Sequence, residues 1–109
     1  MTRTLSVSFE IAWDDDESYR KLYGGLTEAI TTNLIPSAYW CETTSFYIVE
    51  TDEGPGALAA RLWNTAGLRK TKDKLLVLDV KDGSGAAVGE FADQALFDLL
   101  PRVERLGWR

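Results

Sequence analysis

The chain has 109 residues, 45% of them hydrophobic and 27% charged, and 12 Lys and Arg against 17 Asp and Glu give a formal charge of -5. This length and composition predict one globular domain and disfavour a disordered chain. The negative net charge opposes non-specific attraction to nucleic acid, so a nucleic-acid site would have to be local. The absence of histidine excludes Ser-His-Asp and Cys-His triads, histidine metal sites and histidine acid-base catalysis.

The N-terminal segment and the cysteine content indicate the compartment. Residues 1–13 contain neither a long apolar run nor a small-residue cleavage site, and no segment reaches the roughly eighteen apolar residues that cross a bilayer. The single cysteine, Cys41, has no second thiol for a disulfide or a zinc motif, so we expect a small buried hydrophobic side chain. We therefore expect a soluble, cytoplasmic protein without a membrane partner.

The first half of the chain predicts a strand, a helix and a hairpin. Apolar side chains alternate with polar or small ones over 5–13, which predicts a strand. Apolar residues then recur at spacings of three and four, which predicts an amphipathic helix over about 15–31, although two adjacent glycines weaken its middle. The aromatic and β-branched segment that follows is too long for one strand and predicts a hairpin with halves at 38–42 and 45–51.

The second half begins with a helix near 56–66, which a proline introduces and a glycine ends. The apolar run over 73–80 predicts a central strand with both faces covered. A short edge strand is predicted within 86–91, followed by a helix over about 92–100 that ends near Pro101.

The predicted order is strand, helix, strand, strand, helix, strand. This α+β order is that of the ferredoxin-like split βαβ arrangement, a four-stranded antiparallel sheet with two helices on one face. We expect residues 1–109 to form this single domain, with 82–109 as a C-terminal extension used in dimerisation. A homodimer is expected because an isolated sheet of this kind leaves edges and an aromatic hairpin uncovered.

Three stretches resemble the pattern of the CRISPR-associated protein 2 superfamily, which also includes virulence-associated protein D toxins and SinR-like small proteins. They are SFEIAWDDDESYRKLYGGL, TSFYIVETD and KDKLLVLDV, and the similarity covers about residues 5–81. The resemblance implies a ferredoxin-like homodimer, often with a strand beyond the fourth exchanged between subunits. It also implies that a metal-dependent nuclease is one candidate function.

The resemblance implies one catalytic and metal-binding residue, Glu10, with Mg²⁺ or Mn²⁺ as its cofactor. The superfamily has an aspartate at this position, one from each subunit, and glutamate keeps the charge but adds a methylene group. The strand pattern places Glu10 on the face opposite Phe9 and Ile11, where a two-fold axis could bring it beside its copy. The alternative, which is preferred, is a solvated residue on the open face of an antiparallel sheet.

The acidic run that follows the first strand has two interpretations. Asp14, Asp15 and Asp16 are oxygen ligands of the kind that Mg²⁺ takes. Asp14 and Glu17, however, have the spacing of a capping box, and acids in a first helical turn favour the positive end of the helix dipole. The capping interpretation is preferred.

The segment LRKTKDK gives an acidic chain a local excess of positive charge. Its functional interpretation is contact with the phosphates of RNA or DNA, and its simpler interpretation is an exposed connection between a helix and a strand. The simpler interpretation is preferred, because the cations are few. The candidate nucleic-acid-binding residues are Arg69, Lys70, Lys72 and Lys74.

Large apolar side chains near the C-terminus, namely Phe91, Leu96 and Trp108, are predicted to lie at the dimer interface.

Three functions stay open, because one fold supports all of them. The first is a weakly active or non-catalytic module that binds a nucleic acid or a protein. The second is a metal-dependent endoribonuclease or endonuclease, which the glutamate at position 10 and the negative charge disfavour. The third is a regulatory or antitoxin-like protein whose acidic surface binds a basic protein partner.

Overall fold

The structure, a computed structural model, describes residues 2–31, 39–43 and 45–107. Within these residues the chain is an α+β fold with six strands and three helices. In chain order the elements are β1 (Arg3–Glu10), α1 (Asp16–Ile30), β2 (Tyr39–Trp40), β3 (Phe46–Thr51), α2 (Pro55–Ala66), β4 (Lys74–Asp79), β5 (Gly85–Gly89), α3 (Ala95–Leu99) and β6 (Val103–Leu106).

The strands form one mixed sheet in the order β2-β3-β1-β4-β5-β6. Neighbouring strands are antiparallel except β5 and β6, which are parallel. The prediction of a four-stranded, wholly antiparallel sheet is therefore wrong for the sheet as a whole. The reason lies in the segment after β4, where β5 adds to the sheet and a crossover through α3 returns the chain so that β6 runs parallel to β5.

The two long helices lie where the sequence predicts them, because both have a strong local signal. Apolar residues at helical spacing define α1, and α2 has proline in its first turn and Gly67 after its last residue with φ of 73°. The predicted hairpin is also present, since β2 pairs antiparallel with β3. Part of its predicted first half lies outside the described residues. No helix in the described ranges is long and apolar enough to cross a membrane.

Two predictions for the C-terminal segment are corrected. The predicted edge strand, β5, lies inside the sheet between β4 and β6. The predicted helix over 92–100 shortens to the five residues of α3, and the chain then forms β6, which the sequence analysis did not predict. With Pro101 following it so closely, α3 cannot continue, and the next residues join the sheet instead.

One hydrophobic core lies between the sheet and the pair α1 and α2. Alternate residues of β1, namely Leu5, Val7 and Phe9, are buried in this core, as the period-two pattern predicts. Leu26 of α1 and Leu62 of α2 pack into the same cluster. Because α1 and α2 pack on one face of the sheet, they do not cover the opposite face.

That opposite face is partly covered by the crossover between β5 and β6. Ala87 and Val103 are buried but lie outside the main core, because their register places them on this face. Beside them is a groove of about 470 Å³, called here the open-face groove. Its lining includes Lys74, Leu76, Phe91, Leu96 and Leu99.

The end of β5 tolerates no side chain at Gly89. Its φ is 106°, and an added Cβ would stand well inside van der Waals contact of the carbonyl oxygen of Asp73 and would press on the ring of Trp63. We expect Gly89→Ala to lower the free energy of unfolding by about 3 kcal/mol or more, since backbone strain and steric overlap add. Urea denaturation measures the change.

Gly24→Ala is the matched control, because Gly24 lies inside α1 with open space around its Cα. The same substitution is expected to stabilise the protein there by about 0.5–1 kcal/mol. If both variants lowered the free energy of unfolding, the close approach of Gly89 to Asp73 and Trp63 would not be the cause of the loss.

Candidate functional site

The predicted acidic and basic residues meet at one end of the sheet. In the antiparallel pairing of β1 with β4, Glu10 lies opposite Lys74. The segment after β1, residues 11–15, therefore lies against the basic segment that leads into β4, residues 68–73. Sequence positions more than fifty apart are brought together in this way.

Asp73 is at the centre of this end, with a fully buried side chain. Its carboxylate accepts hydrogen bonds from the backbone N–H of Ala12 at 2.9 Å and of Arg69 at 2.8 Å. The Arg69 guanidinium donates two more, from Nε at 3.0 Å and Nη2 at 3.1 Å. The backbone carbonyl of Asp73 accepts from the N–H of Glu90 at 3.0 Å. One residue thus joins the exits of β1 and β5 to the segment before β4.

The charge of Asp73 is maintained by these donors. Burial alone raises the pKa of its carboxyl, but the hydrogen bonds from Arg69 and from the backbone of Ala12 outweigh burial and hold the pKa below its ordinary value. The same contact raises the pKa of Arg69, chiefly through its hydrogen bond to Asp73. Both groups are therefore ionised at neutral pH, and the pair is a buried carboxylate with a half-buried cation.

The acidic run does begin α1, as the preferred interpretation predicts, with Asp16 and Glu17 in the first turn. The predicted capping box is wrong, however, because Asp14 is not the N-cap. The N-cap is Asp15, whose carboxylate accepts from the backbone N–H of Ser18 at 2.8 Å. Asp14 lies one residue earlier, and its Oδ2 accepts from Arg69 Nη1 at 2.5 Å and Lys72 Nζ at 2.9 Å. The hydrogen bonds from Lys72 and then Arg69 lower the pKa of Asp14.

Glu10 lies at the end of β1 with a side chain that is 69% exposed. Its Oε1 is 2.9 Å from Lys74 Nζ, and the two form an ion pair across the strands. Within the described ranges, no group of three or more His, Cys, Asp or Glu side chains is placed to hold a metal ion. The carboxylates of Asp14 and Asp15 are bound to other partners and do not join Glu10.

The basic segment is largely neutralised by acids from elsewhere in the chain. Arg69, Lys72 and Lys74, three of the four predicted nucleic-acid-binding residues, are in ion pairs. Lys70 is exposed, forms no ion pair with a described residue, and lines a pocket of about 250 Å³ together with Trp63. The local positive charge in the sequence therefore does not translate into an open cationic surface.

The predicted interface residues have different outcomes. Phe91 and Leu96 line the open-face groove, next to Leu99, whose side chain is among the exposed large hydrophobic ones. Trp108 lies outside the described residues. Cys41, expected to be buried, is exposed, because it follows the short edge strand β2.

The structural role of Asp73, the one acid within the segment LRKTKDK, is not among the predictions from the sequence. One sequence signal was present: Asp73 lies at the start of the run 73–80 that predicts a central strand, two residues before its first apolar residue, Leu75. An acid in such a position is close to the core and needs partners if it is buried.

Comparisons with known protein families, curated proteins and solved structures find no match to this chain.

Replacing Asp73 by asparagine keeps the shape of the side chain but removes its charge. We expect Asp73→Asn to destabilise the protein by about 3 kcal/mol, because Arg69 loses its buried counter-ion and one backbone donor faces an amide nitrogen. Chemical denaturation at pH 7 measures this loss. Asp52→Asn is the matched control, since Asp52 is exposed, and its effect should lie within about 0.5 kcal/mol.

The stability difference between the wild type and Asp73→Asn should also depend on pH. Because the folded pKa of Asp73 is depressed, its charge stabilises the fold above the unfolded pKa of about 3.9 and ceases to do so as the pH falls through the folded pKa. The difference should be constant near neutral pH and should narrow below about pH 4. A difference that widened on acidification would contradict this assignment.

Proposed function

We propose that the chain is a non-catalytic, homodimeric binding module with a ferredoxin-like core, of the kind found in the CRISPR-associated protein 2 superfamily. The observation that carries the proposal is the environment of Glu10, the residue at the superfamily's metal-binding position. Its carboxylate is exposed and paired with Lys74 at 2.9 Å. Its ligands would be a protein or a nucleic acid.

The order of the first four strands supports the ferredoxin-like core. Taken alone, β2, β3, β1 and β4 are neighbours in that order and are all antiparallel, with α1 and α2 packed against each other. This is the strand order of a split βαβ arrangement. β5 and β6 then extend the sheet beyond β4.

The pairing of Glu10 with Lys74 weighs against metal-dependent cleavage. Two symmetry-related carboxylates attract a divalent cation because they repel each other when no positive charge is present. Here an ammonium already lies beside each Glu10, so a dimer would bring two ion pairs together. Such a pair lacks the uncompensated negative charge that binds Mg²⁺ and activates its water.

The open-face groove supports self-association. Leu99, which lines this groove, is 78% exposed. Exposed apolar surface beside a groove is typical of a protein-protein interface. A second copy seated on this groove would cover Leu99, with Phe91 and Leu96 in the contact.

We expect no cleavage of single-stranded RNA or duplex DNA in the presence of Mg²⁺ or Mn²⁺. Labelled substrates separated on denaturing gels provide the measurement, with Glu10→Ala and a chelator as controls. Glu10→Ala should fold normally, because an exposed ion pair is worth only about 0.2–1 kcal/mol. Cleavage by the wild type that both controls abolish would overturn the proposal in favour of a nuclease.

We expect a dimer at micromolar concentration, and Leu99→Lys should weaken it at least about tenfold by placing a charge in an apolar contact. Sedimentation equilibrium measures the association constant. Val80→Lys is the matched control, because Val80 is an exposed valine that does not line the open-face groove. A wild-type monomer, or equal effects of the two variants, would contradict the proposed interface.

A further inference from the structure

The guanidinium of Arg69 has an inner edge that is fixed and an outer edge that faces solvent. On the inner side, Nε and Nη2 donate to the carboxylate of Asp73, and Nη2 also donates to the carbonyl of Ala12 at 2.9 Å. Since Asp73 is fully buried, releasing this edge would leave a buried charge without its partner. Arg69 is therefore held in one orientation whatever lies on its outer side.

The outer edge of Arg69 and the side chain of Lys72 converge on a single oxygen. Arg69 Nη1 and Lys72 Nζ both donate to Oδ2 of Asp14. A rigid guanidinium edge with a neighbouring ammonium is the donor arrangement that proteins use to bind phosphate and carboxylate oxygens. Asp14 thus occupies the position that the oxygen of an anionic ligand would take.

Asp14 itself is easily moved. Its side chain is 39% exposed, and among the described residues its carboxylate bonds only to these two cations. It does not cap α1, because Asp15 does, and the neighbouring Trp13 is 64% exposed. Rotation of one exposed side chain would leave the two cations available, with no buried contact broken.

We propose that Arg69 and Lys72 form a binding site for a phosphate group and that Asp14 occupies this site in cis as a competing anion. A phosphomonoester carries more negative charge than a carboxylate and offers one more acceptor oxygen, so it can displace Asp14 where a weaker anion cannot. A phosphodiester carries one charge, as a carboxylate does, but successive phosphodiesters along a strand act together. The inference rests on the proposed function as a binding module and gives that module its ligand chemistry. The phosphate is either a phosphomonoester or a phosphodiester of a nucleic-acid backbone.

The competition predicts that removing the charge of Asp14 strengthens binding. In Asp14→Asn, inorganic phosphate should bind about tenfold more tightly than in the wild type at constant ionic strength, a change that corresponds to 1.4 kcal/mol. Two-dimensional NMR follows the titration through the Nε–H of Arg69 and the amide of Lys72. The same spectra show that each variant is folded.

Glu17→Gln is the matched control. It removes the same charge three residues away, and Glu17 forms no ion pair with a described residue, so it reports the general electrostatic effect alone. The double variant Asp14→Asn with Lys72→Gln should lose the gain in affinity. Arg69 is left unchanged in every variant, because replacing it would leave the buried carboxylate of Asp73 without its cation.

A second titration with a short oligothymidylate identifies the source of the phosphate. A gain in Asp14→Asn with inorganic phosphate alone indicates a phosphomonoester, and a larger gain with the oligonucleotide indicates a phosphodiester backbone. Equal affinities in wild type, Asp14→Asn and Glu17→Gln would overturn the proposal, as would shifts that do not involve Arg69 and Lys72. Neither result would alter the cleavage and sedimentation measurements, so failure of the site and failure of the proposed function are distinguishable.

Discussion

The buried carboxylate of Asp73 is the constraint on which this end of the molecule depends. A charge in the interior is tolerated only when donors surround it, and the donors that surround Asp73 come from two separate segments, at Ala12 and Arg69. The backbone of Asp73 adds a third segment through Glu90. The carboxylate of Asp73 therefore fixes the exit of β1 against the segment before β4, and its backbone carbonyl ties the exit of β5 to the same place.

Three acids at this end have three environments, and the environments decide what each can do. Asp73 is buried and surrounded by donors, so its role is to hold neighbouring segments of the fold together. Glu10 is exposed beside one ammonium, which makes its ion pair energetically minor. Within the described ranges it belongs to no group of three or more side chains that could hold a metal ion. Asp14 lies between these extremes, because the arginine that holds it is itself held by Asp73. The orientation of Arg69 therefore decides which anion this site can bind.

Local patterns predicted the elements that have strong periodicity and failed where long-range contacts decide. The positions of α1, α2, β1 and β4 follow from apolar spacing along the chain. The strand β6 has only four residues and owes its existence to parallel pairing with β5, which no local pattern reveals. Adjacent aspartates are chemically alike, so sequence alone could not tell which one caps α1. Nor could it show that the cations of the basic segment are paired with acids more than fifty positions away.

Native-state hydrogen exchange of the amides that Asp73 holds is the most direct test of its central role. The N–H groups of Ala12, Arg69 and Glu90 all donate to Asp73. If that residue joins the three segments into one unit, these amides should exchange with a common free energy of opening, close to that of the buried strand β4. Rapid exchange at any of them, with free energies that differ from site to site, would show that the segments open independently and would contradict the account.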